Sequence, residues 1–134
     1  MSPRHAQTVH DFYDALARGD LDAAGDLLTP DAVLHVPGRS SNTGDHVGRD
    51  AVIGFVAKAA EVTRGTLRLA VNRVLADEEQ AVALATYTAT RPDRATPLVN
   101  NVAHVITLRD GRIAESWLYS RDQYEVDAFW GELS

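Results

Sequence analysis

An Asp-Gly pair joining two long strand-like runs near the end of the chain constrains the fold more than any other segment. The runs extend from Asn100 to Tyr119, and Asp110-Gly111 supplies the residue types that a tight two-residue hairpin turn requires. Both runs carry polar side chains at both parities: Asn100, Asn101, His104, Glu115, Ser116, Trp117 and Tyr119. A hairpin needs one apolar face, so this mixture predicts that part of the sheet lines a pocket of mixed chemistry.

The segments before the hairpin read as helices followed by strands. Val9, Phe12, Tyr13 and Leu16 recur at three- and four-residue intervals and predict a helix over 7–17 that stops at Gly19. Asp20 is placed to cap a second short helix running through Leu28. After Thr29-Pro30-Asp31, residues 32–36 read as a strand that ends at Pro37-Gly38, and the polar, glycine-rich stretch 39–48 reads as a loop over a cavity mouth. Asp50 is placed to cap a third helix carrying Val52, Ile53, Phe55 and Val56. Strands are predicted over 66–75 and 80–90 around the turn Asp77-Glu78-Glu79. The tail from Asp122 to Leu133 reads as a short docking helix with Val126, Phe129, Trp130 and Leu133 on its apolar side. Helices segregated against a curved, mixed or mainly antiparallel sheet define an α+β cone, with three helices in the N-terminal half. A cone leaves a blind interior, where a pocket of roughly 300 Å³ or more is expected.

A chain of 134 residues is long enough for a core and a pocket but reads as one domain, 1–134. With 19 acidic against 13 basic side chains the net charge is −6, which supplies no basic field for nucleic acid or for an anionic membrane. The absence of cysteine removes disulfides, thiolate metal sites and thiol nucleophiles. The first ten residues lack the apolar core of a secretory signal, and no run approaches the roughly 18 apolar residues of a membrane helix. A soluble cytoplasmic protein is the expectation.

Fragments along nearly the whole chain resemble the nuclear transport factor 2-like superfamily, and within it the SnoaL-like branch. They are Val9-His10-Asp11-Phe12-Tyr13, Gly19-Asp20, Pro30-Asp31-Ala32-Val33, Pro37-Gly38, Gly48-Arg49-Asp50-Ala51-Val52 and Asp110-Gly111-Arg112-Ile113-Ala114-Glu115-Ser116-Trp117. The resemblance implies the cone fold and a frequent pairing of two subunits. It leaves the activity open among isomerases, cyclases, epoxide hydrolases, dehydratases and noncatalytic members. The tyrosine and the two acids of the ketosteroid isomerases fall on Phe12, Val36 and Ala103, none of which moves a proton. The polyketide cyclases resemble the chain in a histidine before the Asp-Gly turn, here His104. Their acid on the final strand falls nearest Leu118, with Asp122 further along.

His104 is the first candidate base, because a neutral imidazole serves that role near pH 7. Its direction stays open: isomerase-like parity turns it to the other face, and cyclase-like parity turns it into the cavity with Asn100, Val102 and Ile106. Asp122 and His46 are candidate acid partners, with a helix cap and a loop surface as their competing roles. Asn101, Tyr119 and Tyr13 are candidate polar contacts to a ligand, and Phe12, Leu16, Val36, Phe55 and Trp117 a candidate apolar wall. Trp117 and Tyr119 are expected to share a face with Ile113 and Glu115, with solvent around Glu115. Histidines at 5, 10, 35, 46 and 104 form no metal-binding spacing, and no glycine motif cradles a phosphate. No metal and no cofactor are therefore expected.

Two function classes follow. One is a cofactor-independent acid-base enzyme of cyclase, isomerase, hydratase or epoxide-opening type acting on a small hydrophobic metabolite. The other is a noncatalytic binding protein for such a molecule, or an assembly module; a homodimer is compatible with all of them.

Overall fold

The computed structural model describes residues 3–131. Among them the order is α1 (Pro3–Ala17), α2 (Leu21–Asp26), β1 (Leu28–Val36), β2 (Gly44–Val47), α3 (Arg49–Val62), β3 (Arg68–Ala76), β4 (Gln80–Ala89), β5 (Leu98–Arg109), β6 (Arg112–Ser120) and α4 (Gln123–Trp130). The six strands form one curved, unclosed sheet ordered β2-β1-β6-β5-β4-β3. The β1 and β6 strands run parallel, while the other neighbouring pairs are antiparallel. Leu133, expected to dock with the tail helix, lies outside the described residues.

Local chemistry explains the element ends. Asp20 caps α2 by accepting from the Ala23 amide at 3.0 Å. That helix ends before Leu28, because the Ile113 amide donates to the Leu27 carbonyl at 2.8 Å and draws the chain into the sheet. The predicted cap at Asp50 is corrected: Gly48 holds the N-cap position of α3 without a side-chain bond, and Asp50 lies in the first turn. There its charge still favours the helix dipole. The loop predicted over 39–48 contains β2, a four-residue edge strand aligned by β1 through Val33↔Val47 to Val36↔Gly44. Its polar sequence hides this pairing, which the neighbour imposes. At the closing hairpin Asp110 and Gly111 have φ of 55° and 77°, the left-handed pair that a tight turn demands.

The core lies on the sheet's inner face. Ile106, Val102 and Ile113 meet Val9, Phe12, Tyr13 and Ala15 of α1, all buried. Along β4 the inward positions 81, 83, 85, 87 and 89 read Ala, Ala, Ala, Tyr, Ala. The buried alanines at 81, 83 and 85 let α1 approach the sheet closely, leaving Tyr87 as the one large inward side chain of that strand. At the other end Ala89 and Leu98 pack against Val126 and Phe129 of α4.

A bulge sets the direction of the last strand. Thr107 pairs with Glu115, but Leu108 pairs with Ile113, so Ala114 is inserted without a counterpart. Ile113 and Ser116 are consequently both buried on the inner side. The expectation that Ile113, Glu115, Trp117 and Tyr119 share one face is therefore corrected: the bulge turns Glu115, Trp117 and Tyr119 outward.

Candidate active site

Between the inner sheet face and helices α1, α3 and α4 lies a cavity of about 110 Å³. It is smaller than the sequence suggested, because Phe12, Leu16, Leu69, Phe55 and Leu118 project into the interior. Its size is comparable with an engineered apolar cavity of about 150 Å³ that takes up benzene. Most of its lining is aliphatic or aromatic, interrupted by a few polar side chains, the usual composition of a small-molecule site.

Three of those polar groups form a chain of hydrogen bonds. The Tyr13 hydroxyl lies 2.5 Å from the Tyr87 hydroxyl and 2.8 Å from His104 Nδ1. Tyr13 comes from α1, Tyr87 from β4 and His104 from β5, so three elements fix one network. The opposite ring nitrogen, His104 Nε2, is buried and finds no partner among the described residues; the same holds for Asn100 Oδ1. Both residues line the cavity. Buried polar atoms without partners are rare in native proteins and mark places where a ligand or water completes the bonding.

Burial sets the protonation states. Desolvation lowers the His104 pKa to about 4, which keeps its imidazole neutral at physiological pH. Burial raises the Tyr87 hydroxyl to about 12 and raises Tyr13 as well, with the neighbouring Tyr87 adding to the latter shift. Neutral forms therefore predominate near pH 7. The arrangement suits the transfer of a proton better than the creation of a charge.

The candidate residues divide between the two faces. Phe12, Tyr13, Leu16, Val36, Phe55 and His104 line the cavity. Asn101, Trp117 and Tyr119 do not, and their assignment as ligand contacts is corrected. Asn101 is exposed on the outer face and accepts from the Thr86 hydroxyl at 3.0 Å. Tyr119 is 55% exposed, and Trp117 stacks on His35 with ring centroids 5.2 Å apart. Asp122 is the N-cap of α4, accepting from the Glu125 amide at 3.2 Å, the competing role that the sequence offered for it. His46 packs its ring on Phe55 at 4.6 Å between centroids, and its Nε2 bonds the Asn42 carbonyl oxygen at 3.1 Å.

Sequence reasoning missed Tyr87 and gave Asn100, which it set on the same strand face as His104, no role. They are cross-strand partners, and Asn100 shares the parity of His104. The signals were the alanine stripe interrupted by Tyr87 and the even-numbered face of β5, but neither identifies the face that α1 covers.

Outside the cavity, His35 Nε2 approaches Glu115 at 2.6 Å and Nδ1 approaches Asp45 at 2.7 Å. Glu115 thus has a partner rather than solvent alone. Those carboxylates, Glu115 first, raise the His35 pKa above its ordinary 6.5. A raised folded-state pKa stabilises the fold fully below 6.5 and loses that contribution as pH climbs through the raised value. We expect His35→Gln to lower the thermal midpoint more at pH 5.5 than at pH 8.5, as measured by circular dichroism.

An α+β cone whose helices close the inner face of a curved, unclosed sheet is the fold of the nuclear transport factor 2-like proteins. A SnoaL-like domain model matches residues 9–116, and the chain belongs to that family. Bal32a, from a soil-derived mobile gene cassette, superposes with a TM-score of 0.91 at 29% identity, covering 96% of this chain and 97% of its own. An NTF2-like protein from Burkholderia xenovorans LB400 superposes with a TM-score of 0.83 at 19% identity, covering 98% of each chain. IdmH, a putative polyketide cyclase from Streptomyces antibioticus, gives 0.73 at 22% identity over 87% of this chain and 91% of its own. No curated protein sequence matches. No helix among the described residues is long and apolar enough to cross a membrane.

Proposed function

We propose that the protein is a cofactor-independent acid-base enzyme acting on a small hydrophobic molecule, with His104 as the base. The observation that carries this reading is the buried His104 Nε2, unpartnered among the described residues, on a ring whose other nitrogen is held by Tyr13. A purely apolar binding site has no use for such an atom, whose desolvation costs about 1–3 kcal/mol unless a ligand group satisfies it. Neutral imidazole in a dry site is a competent proton acceptor for a weakly acidic C–H or O–H group. Asn100 Oδ1 supplies a second fixed acceptor that orients the ligand. The match to a SnoaL-like domain and the fold shared with IdmH support a cyclase- or isomerase-type reaction, a proton relocation on a carbon skeleton.

The test uses cyclohexanone, a compact ketone of about the cavity's size, incubated with the protein in D₂O. The expected result is accelerated loss of its α-proton NMR signals. A ketone that perturbs the methyl resonances of Leu34 and Val36 without any accelerated exchange would instead establish a noncatalytic binding protein.

The proposal extends to a homodimer joined through the outer sheet face. Leu84 and Val99 are 39% and 52% exposed there, and the exposed Tyr119 adds aromatic surface. Apolar side chains gathered on one open sheet face are the surface that a second subunit would cover. Sedimentation velocity should give twice the monomer mass, and Leu84→Glu should return it to the monomer.

A further inference from the structure

Resting on that acid-base reading, we propose that Tyr87 is the second catalytic group and that Tyr87, Tyr13 and His104 form a charge-neutral relay delivering a proton to the substrate as another is removed. The relay follows from counting hydrogen atoms. Tyr13 lies between two partners, and two arrangements satisfy both of its contacts. In the first, Tyr87 donates to Tyr13 and Tyr13 donates to Nδ1, so the imidazole carries its hydrogen on Nε2. In the second, Nδ1–H donates to Tyr13, Tyr13 donates to Tyr87, and Nε2 presents a lone pair while the Tyr87 hydroxyl is free to donate into the cavity. Only the second is active as a base, and it places an acid at the opposite end of the same chain.

With an enolisable carbonyl compound the step balances. The substrate's α-carbon loses its proton to Nε2, and the C–H pair becomes the new C=C bond. The Nδ1 hydrogen passes to Tyr13, the Tyr13 hydrogen to Tyr87, and the Tyr87 hydrogen to the carbonyl oxygen, which takes it with the former C=O π pair. Four bonds to hydrogen break and four form, and no buried ion results. Burial that makes imidazolium and phenolate costly in this cavity therefore does not oppose the reaction. Water entering after product release restores the starting tautomer by the reverse exchange.

The test reads the His104 tautomer directly from its imidazole ¹⁵N shifts at pH 7. In the wild-type protein both ring nitrogens should show averaged shifts between protonated and unprotonated values, because each arrangement makes the same two hydrogen bonds within the chain and leaves one donor facing the cavity. Tyr87→Phe leaves the Tyr13 hydroxyl with Nδ1 as its sole acceptor in the network, so the variant should hold the single Nε2–H form. Adding the same change to Tyr13→Phe should have no effect on the tautomer, since the connection is already cut. The phenylalanine variant should also lose α-proton exchange of cyclohexanone by at least about tenfold, with its affinity for the ketone retained. A wild-type protein already fixed as Nε2–H, or a tautomer population unchanged in folded Tyr87→Phe, overturns the relay. Exchange that still depends on His104 in that case would leave the acid-base reading standing by itself. The wild-type spectrum decides the matter even if a variant does not fold.

Discussion

His104→Gln is expected to slow α-proton exchange of cyclohexanone by about 10²- to 10⁴-fold, the usual contribution of a positioned general base. Glutamine retains a polar group of similar reach beside Tyr13 but cannot accept a proton from carbon. Its effect should fall on turnover, with ketone binding preserved by the apolar wall of Phe12, Leu16 and Phe55. The same variant carries a stability signature. His104 titrates near 4 in the folded protein and near the ordinary 6.5 when unfolded. As pH falls between those values the unfolded chain binds a proton that the native state refuses, so the wild type loses stability, on the order of 3 kcal/mol over the interval. Urea unfolding at pH 7.5 and 4.5 should show a smaller loss for His104→Gln than for the wild type. An equal loss in both would mean that His104 is not desolvated. His35 contributes with the opposite sign and is present in both proteins, so the comparison isolates His104.

Ile106→Ala should be the most damaging single truncation of the sheet, costing about 2–5 kcal/mol. Ile106 is fully buried and lies across from Ala81 on β4 and Ser116 on β6. Its small neighbours cannot swell to fill the space left by three missing carbon atoms, so the cavity term adds to the lost transfer energy. Equilibrium denaturation should show a lower midpoint with an unchanged slope. A cost below about 1 kcal/mol would indicate that the helix α1 collapses onto the void, although the alanine stripe already lets it lie close to the sheet.

How much of this was legible beforehand depends on the kind of information. The helix over α1 was readable because Val9, Phe12, Tyr13 and Leu16 keep a helical period. The closing turn was readable because Asp110-Gly111 tolerates left-handed backbone. The β2 strand was not, since a polar edge strand of four residues acquires its conformation from the strand beside it. The candidate site was half legible. His104 and Tyr13 could be nominated as chemically capable groups, whereas Asn101, Trp117 and Tyr119 were nominated equally well and face the other way.

The sequence by itself determined the helices, the strands other than β2, the hairpin and the family, because turn chemistry and periodicity are local properties and the family fragments follow one another in a fixed order. Only the tertiary structure decided which face of the hairpin became the cavity. That choice rests on where α1 lies and on the insertion of Ala114 into β6, and side-chain direction alternates with every residue. A single-residue bulge therefore turns Trp117 and Tyr119 outward, while packing of α1 over the inward alanines brings Tyr13 between Tyr87 and His104, residues separated from it by 74 and 91 positions.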